Sequence, residues 1–366
     1  MTPIYLDNNA TTHMDPIVSE RMHLLHLQGI SNPASQHRPG RQALHLLEEA
    51  KSEILQLVGA PASGMESAQI ILTSGGTEAN NLAIRGLAAA NPGRRHIITS
   101  VIEHPATSGP CAVLEKAGYR VDRIGVDGAG RVDLQSIRER CGEDTLLVTV
   151  MHANSETGTL QPIRDVSSLA RATGARMHTD AAQSLGKVGV SVRRERVDLL
   201  SIAGHKLYAP QGVGALYLRA GISAEPLLVG ASHERGLRPG TENVASIVGL
   251  GQACECARRD LEEQSIRVGQ LRDRLWRRLE DQVEGLALNG HPELRLPNTL
   301  NVRFPGVSGN ALLEACPEIA ASTGSACHET GAAASAVILA MGVPDGEAAG
   351  SVRLTLGRDN SADEID

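Results

Sequence analysis

Three short segments carry residue types that could act together on one small molecule. Thr73-Ser74-Gly75-Gly76-Thr77-Glu78, followed by Ala79-Asn80-Asn81, reads as a strand end, a glycine pair, a hydroxyl and a helix start. Backbone N–H groups and a helix dipole placed this way can hold a phosphate. No Gly-Lys-Ser/Thr follows, so it is not a Walker loop. His178-Thr179-Asp180-Ala181-Ala182-Gln183 places a carboxylate at a second strand end, where it could pair with a protonated ring nitrogen. Ser201-Ile202-Ala203-Gly204-His205-Lys206 ends a third strand on a lysine, and a Gly/Pro-rich turn runs on to Gly214. A partly desolvated lysine there could form a Schiff base with an aldehyde.

Taken singly, each segment has a plainer reading. The glycine pair could open an ordinary capped helix, Asp180 could be an N-cap, and Lys206 could be a solvated loop lysine. Taken in order they describe a phosphate cradle, a partner for a pyridine nitrogen and an amine for an aldehyde. That combination is a site for pyridoxal 5'-phosphate.

The elements that must position these residues alternate. Ile70–Leu72, His96–Ser100, Leu146–Met151, Arg176–Thr179, Leu199–Ile202 and Ala215–Leu218 read as short buried strands. Pro105–Ala117 and Ile163–Thr173 read as helices between them. The pattern predicts an α/β fold: a mainly parallel sheet with helices on both faces. From about Gln252 the texture changes. Leu261, Val268, Leu271, Leu275, Leu279 and Val283 mark a long amphipathic helix whose arginines (Arg272, Arg274, Arg277, Arg278) form a solvated face. Asn298–Phe304 and Ser351–Leu356 then read as strands of a smaller α+β unit. The predicted division is a large cofactor-binding domain over 16–255 and a small domain built from 1–15 and 256–366.

Composition narrows the function. At 366 residues, 41% hydrophobic and 21% charged, the chain has about two domains' worth of core-forming sequence. A net charge of -7 excludes a generic nucleic-acid binder, so no direct nucleic-acid contact is expected. Six cysteines without a Cys-x-x-Cys pair give neither a disulfide framework nor a structural metal site. Met1 to Asp15 lacks a signal-peptide pattern, and the apolar stretch Gly331 to Val343 is too short to span a bilayer. A cytoplasmic protein without membrane contact is expected. With one Phe and one Trp, the core must be built from Leu, Val, Ile and Ala.

Nearly end to end, the chain resembles the cysteine desulfurases of the NifS/IscS type, in the class V aminotransferase group of fold type I pyridoxal phosphate enzymes. The matching segments include Tyr5 to Thr12, Asn32 to His37, Ser74 to Glu78, Glu103-His104, Met151 to Gly158, Thr179 to Gln183, Gly204-His205-Lys206, Arg238 to Asn243, Ser325-Ala326-Cys327 and Val352 to Arg358. The resemblance implies roles. Lys206 would bond the cofactor aldehyde, Asp180 would face the pyridine nitrogen and Gln183 the ring oxygen. His104 would stack on the ring and move protons. Gly76, Thr77 and His205 would hold the phosphate, with Thr241 reaching in from the second subunit of a homodimer. Asn154 and Arg353 would hold the substrate carboxylate, and Asn154 would also touch the cofactor. Cys327, in a small-residue loop, would be the persulfide-forming nucleophile. Cys111, Cys141, Cys254, Cys256 and Cys316 match no motif and read as structural.

The implied activity removes sulfur from L-cysteine, giving L-alanine and a persulfide passed to an acceptor protein. Iron–sulfur assembly, tRNA thiolation and DNA phosphorothioation are all open destinations. Two other readings stand beside it: a selenocysteine lyase or aminotransferase, and a non-catalytic sulfur-relay scaffold. Departures from the family pattern are also visible. Position 203 is Ala where the family usually has a phosphate-binding Ser. The segment after Cys327 lacks the usual Glu-Pro-Ser, so a poorly fixed start is expected for the next helix. Family members usually run on into another helix after Asp366.

Overall fold

The computed structural model describes residues 3–60, 68–324 and 334–366. Its strands are β1 (Ile4–Tyr5), β2 (Gln69–Thr73), β3 (His96–Ser100), β4 (Arg120–Ile124), β5 (Thr145–Thr149) and β6 (Arg176–Asp180). They continue with β7 (Leu199–Ala203), β8 (Gly214–Leu218), β9 (Ala287–Leu288), β10 (Thr299–Arg303), β11 (Ile319–Ala320) and β12 (Ser351–Thr355). Seven of them form one sheet in the order β2-β8-β7-β6-β5-β3-β4. Pairing is parallel from β4 through β3, β5 and β6 to β7. The exception is β8, antiparallel to both β2 and β7. The loop 204–213 between β7 and β8 is too short for a helical crossover, so the chain turns back on itself. Because β8 alone is reversed, β2, β3, β5, β6 and β7 all end on one edge of the sheet.

The sheet is buried on both faces. β3, β5 and β7 are buried at every position. Successive residues enter opposite cores: Ile98, Val148 and Leu200 on one face, Ile97, Leu147 and Leu199 on the other. This explains strands that read as continuous apolar runs. The strand β4 was not expected from sequence. It lies at the sheet edge, and only Ile124 of its five residues is buried, so its Arg-Val-Asp-Arg-Ile sequence carries little strand signal.

The amphipathic helix expected from about Gln252 begins earlier and spans Val244–Gln282, 39 residues or about 58 Å. Its first turns are buried nearly all round, from Val244 to Gly251. No polar face exists there to give a helical period, which is why the sequence shows only the later stretch. Val268 and Leu271, further along, join the core of a smaller three-stranded sheet, β12-β10-β9. One helix therefore contributes to both cores. Beside that smaller sheet, β1 pairs in parallel with β11. No helix among the described residues is long and apolar enough to cross a membrane.

The helix Arg38–Leu57 buries Ala43, Leu47, Ala50, Ile54 and Leu57 and packs against the long helix. Their closest approach is at Gly251, where a Cβ would meet Ala50 Cα at 2.7 Å and Ala50 Cβ at 2.8 Å. Alanine in a helix interior gains up to about 1 kcal/mol over glycine. Overpacking against a facing backbone costs about 1–3 kcal/mol. Gly251→Ala should therefore lower the denaturation midpoint, and a midpoint at or above the parent's would show that the two helices separate freely.

Candidate active site

Five strand ends deliver the site. β2 leads into Gly75-Gly76-Thr77, β3 toward His104, β5 toward Met151 to Ser155, β6 ends on Asp180 and β7 runs into Lys206. Ligands of α/β sheets collect at this edge. A cavity of about 490 Å³ opens there, lined among others by His104, Ser155, Asp180, Gln183 and Lys206. It shares Gly76, Thr77 and His205 with a wider hollow of about 850 Å³ that reaches Thr11 and Gly212. The structure thus brings together Gly76, Thr77, His104, Asp180, Gln183, His205 and Lys206. These residues lie up to 130 positions apart in sequence.

Each side chain is held by neighbours. Asp180 Oδ2 accepts from Asn80 Nδ2 at 2.7 Å, and its Oδ1 accepts from Ala182 N at 2.9 Å. His104 caps the helix Pro105–Lys116, its Nδ1 accepting from Ala106 N at 3.1 Å. That bond leaves Nε2 to carry the ring proton of the neutral imidazole. Burial and then the nearby Lys206 hold His104 below the ordinary histidine range, with Asp180 opposing. His205 is pushed down to about 4 by burial, Lys206 and Lys187, so both rings are neutral at pH 7. The Lys206 turn is also tied from below. Thr12 Oγ1 donates to His205 O at 3.0 Å and accepts from Tyr208 N at 2.9 Å, where Tyr208 takes a left-handed φ of 60°.

Position 203 is an alanine in the cavity wall. A Cβ on Gly76 would come within 3.1 Å of the Ala203 methyl. The backbone at Gly76 therefore packs closely on a side chain that donates no hydrogen bond.

Two residues expected to bind substrate are placed differently from one another. Asn154 is buried, and its Oδ1 accepts from Glu156 N, Thr157 N and Thr157 Oγ1. The cavity is lined by its neighbours Ala153 and Ser155. Arg353, on β12, donates through Nη2 to Asp7 Oδ1 at 2.6 Å and through Nη1 to Ser155 O at 3.1 Å. Its buried Nε has no hydrogen-bond partner among the described residues. Thr241 is exposed on the segment that leads into the long helix.

Cys327 lies outside the described residues. Its flanks are described, and both rest on Glu156. A Cβ on Gly324 would lie 2.9 Å from Glu156 Oε2, and Ser335 Oγ donates to that same oxygen. Ser335 also caps the helix Ala336–Ala340, accepting from Val337 N and Ile338 N. The poorly fixed helix start expected from sequence is thus corrected, because Ser335 takes the capping role without a Glu-Pro-Ser. Cys111, Cys254 and Cys256 are buried. Burial, with the Glu103 carboxyl nearby, pushes the Cys111 thiol up to about 12, so it stays protonated and unreactive.

Glu103 had no assigned role in the sequence reading beyond its place in a matching pair. Its Oε1 accepts from Ser100 Oγ at 2.6 Å and Met151 N at 3.0 Å, while the buried Oε2 has no partner among the described residues. Part of the residue reaches the surface, but the carboxyl itself is enclosed. Burial pushes it up to about 8, with Asp180 adding to the rise. The folded protein therefore keeps a proton that the unfolded chain releases near pH 4.5. The favourable contribution is complete below that value and is lost as pH rises through about 8. Glu103→Gln keeps the acceptor and replaces the protonated oxygen by a neutral amide. Relative to this variant, the parent should lose up to about 1.4 kcal/mol of stability per pH unit between about pH 5 and 8. Parallel stability–pH curves for the two proteins would show that Glu103 is ionised in the fold.

Comparison with known proteins places this site in context. The Aminotransferase class-V family model matches residues 4–366. A cysteine desulfurase of Gluconacetobacter diazotrophicus is 42% identical over 369 residues, covering 100% of this chain and 91% of that protein. The cysteine desulfurase NifS of Azotobacter vinelandii is 42% identical over 368 residues, covering 100% and 90%. Among solved structures, a NifS-like protein superposes with a TM-score of 0.92 at 35% identity, covering 100% of this chain and 96% of its own.

Proposed function

The chain belongs to the class V aminotransferase family, and from that premise we propose that it is a cysteine desulfurase, taking sulfur from L-cysteine and releasing L-alanine. The observation that carries the reading is the single cavity at the strand ends, where Lys206, Asp180, His104 and Gln183 converge beside Gly76 and Thr77.

That donor set fits pyridoxal 5'-phosphate. Lys206 would hold its aldehyde carbon, Asp180 its ring nitrogen, Gln183 its ring oxygen, and Gly76, Thr77 and His205 its phosphate. Asn80 supports the assignment by fixing Asp180 Oδ2 at the cavity. When bound, the cofactor supplies an electron sink for charge developing at the substrate Cα. The Lys206 amine takes the Cα proton. Arg353, through the fork of its guanidinium, and Asn154, if its carboxamide turns toward the cavity, would hold the substrate carboxylate. His104, neutral and with Nε2 protonated, exchanges a proton with the reacting sulfur. The Cys327 thiolate attacks that sulfur: an S–S bond forms as the substrate C–S bond breaks, the electron pair stays with Cβ, which takes a proton to become the methyl of alanine, and a persulfide is left on Cys327. An acceptor protein then takes the outer sulfur.

The exposed position of Thr241 suits a homodimer in which it reaches the partner's phosphate cradle. The division into a large cofactor-binding domain and a small domain carrying the cysteine loop belongs to the same reading, as does a cytoplasmic setting.

The deciding experiment mixes the purified protein with L-cysteine and a thiol reductant and measures sulfide and alanine together. Equal amounts of both are expected without added keto acid. Alanine that appears only with a keto acid, or pyruvate in its place, would make the protein a transaminase or lyase.

A further inference from the structure

The side chain of Lys187 is buried between the cofactor cavity and a second cavity of about 560 Å³ where the long helix meets the end of β12. Its ammonium donates to Asn9 Oδ1 at 3.0 Å and to Gln183 Oε1 at 3.2 Å. Both acceptors are neutral. The charged groups acting on it are Lys206 and Arg353, and Asp260 and Arg358 line the same second cavity. Asp260 is paired with Arg259, and Arg358 with Asp15. Burial, with repulsion from Lys206 and Arg353, pushes Lys187 down to about 7.

Asn9 is the other half of the arrangement. It is 1% exposed and touches four parts of the chain at once, at Ser155, at Gln183 and Lys187, at Asn298 and Thr299, and at Thr355. Its Oδ1 also accepts from Asn298 Nδ2 at 3.0 Å, and its Nδ2 donates to Thr299 Oγ1 at 2.9 Å and Ser155 O at 3.1 Å. Its carbonyl accepts from Gln183 Nε2 at 3.1 Å. The Gln183 carboxamide is thus held from both ends. A backbone carbonyl can only accept, so the nitrogen of the amide must face Asn9 and its oxygen faces Lys187, which donates to it; the amide has one permitted orientation. Its oxygen is taken by Lys187, one N–H by Asn9, and only the second N–H is left for the cavity that Gln183 lines.

We propose that Lys187 is a positioning residue for the bound cofactor: through Gln183 Oε1 it fixes the carboxamide as a donor toward the ring oxygen and polarises the N–H that makes the contact. A hydrogen bond accepted by an amide oxygen strengthens the donor at its nitrogen. The proposal rests on the reading that pyridoxal phosphate occupies the cavity with its ring oxygen at Gln183. A stronger donor to the ring oxygen favours the deprotonated form of the cofactor chromophore.

The test titrates the visible absorbance of the purified holoenzyme against pH, with no substrate present. Lys187→Met should raise the midpoint by about one pH unit, and Lys187→Arg should keep it near the parent value. In a Gln183→Ala background, Lys187→Met should move the midpoint little, because the effect passes through the carboxamide. An unchanged midpoint in Lys187→Met, or a full shift that persists without Gln183, overturns the proposal. If Lys187→Met does not give a cooperative thermal transition, Lys187→Gln supplies the same comparison with one donor retained and about half the shift. A parent protein that binds no chromophore at all overturns the underlying cofactor reading, and this proposal with it.

Discussion

Lys206→Ala is expected to fold with a normal thermal transition, lose the borohydride-reducible visible band, and release sulfide at least about a thousandfold more slowly than the parent. Two functions disappear with one amine. The first is retention of the cofactor aldehyde, the second removal of the Cα proton. The scaffold around the residue does not depend on that amine. The turn is held by Thr12 through His205 O and Tyr208 N, and by the backbone bond from Gly204 N to Val213 O. The Lys206 charge lowers the proton affinity of both His104 and His205. The variant should therefore also shift histidine titration upward, visible by NMR in protein freed of cofactor. Borohydride treatment of the parent followed by peptide mapping should label the peptide that contains Lys206. A label on Lys187 in its place would exchange the roles of the two lysines.

Much of the site was legible because its residues sit at the ends of short, strongly apolar strands. The runs around Ile71, Ile98, Val148, Met177 and Leu200 are all strands in the fold, and the segments following several of them supply Gly76, His104, Asp180 and Lys206. What escaped the sequence reading depends on contacts between distant positions. Asn9 meets Gln183, Lys187, Asn298 and Thr355 across separations of 174 to 346 residues. No local period or spacing announces such a hub, even though Asn9 lies in a segment that matches the family. The reversal of β8 follows from loop length and could have been inferred from the few residues between Lys206 and Gly214. Glu103 is a different case. A glutamate is ordinarily ionised at pH 7, and only enclosure by Ser100, Met151 and their surroundings makes this one an acid that keeps its proton.

Cys327→Ser is expected to keep the visible cofactor band and the parent's melting temperature while losing sulfide release by at least about a thousandfold. The reason lies in the nucleophile. A serine hydroxyl is almost wholly protonated at neutral pH, whereas a cysteine has an accessible thiolate, and oxygen cannot replace sulfur in a persulfide. None of the described cysteines, Cys316 included, lines the cavity. Cys111, Cys254 and Cys256 are buried, and burial raises the thiols of Cys111 and Cys254. Cys141 Sγ lies 3.1 Å from Thr173 Oγ1, beyond the opposite end of β6 from Asp180. On the proposed reading, the steps before sulfur attack need Lys206 and Arg353 but not the thiol, so the variant should still bind L-cysteine and change its spectrum on mixing. That separates it from Lys206→Ala, which should show no such change. Alkylation after brief exposure to L-cysteine should place the extra sulfur of the parent on the peptide containing Cys327. Parent-like sulfide release by Cys327→Ser would move the chemistry to free solution thiol, and the loop cysteine would have no part in the reaction.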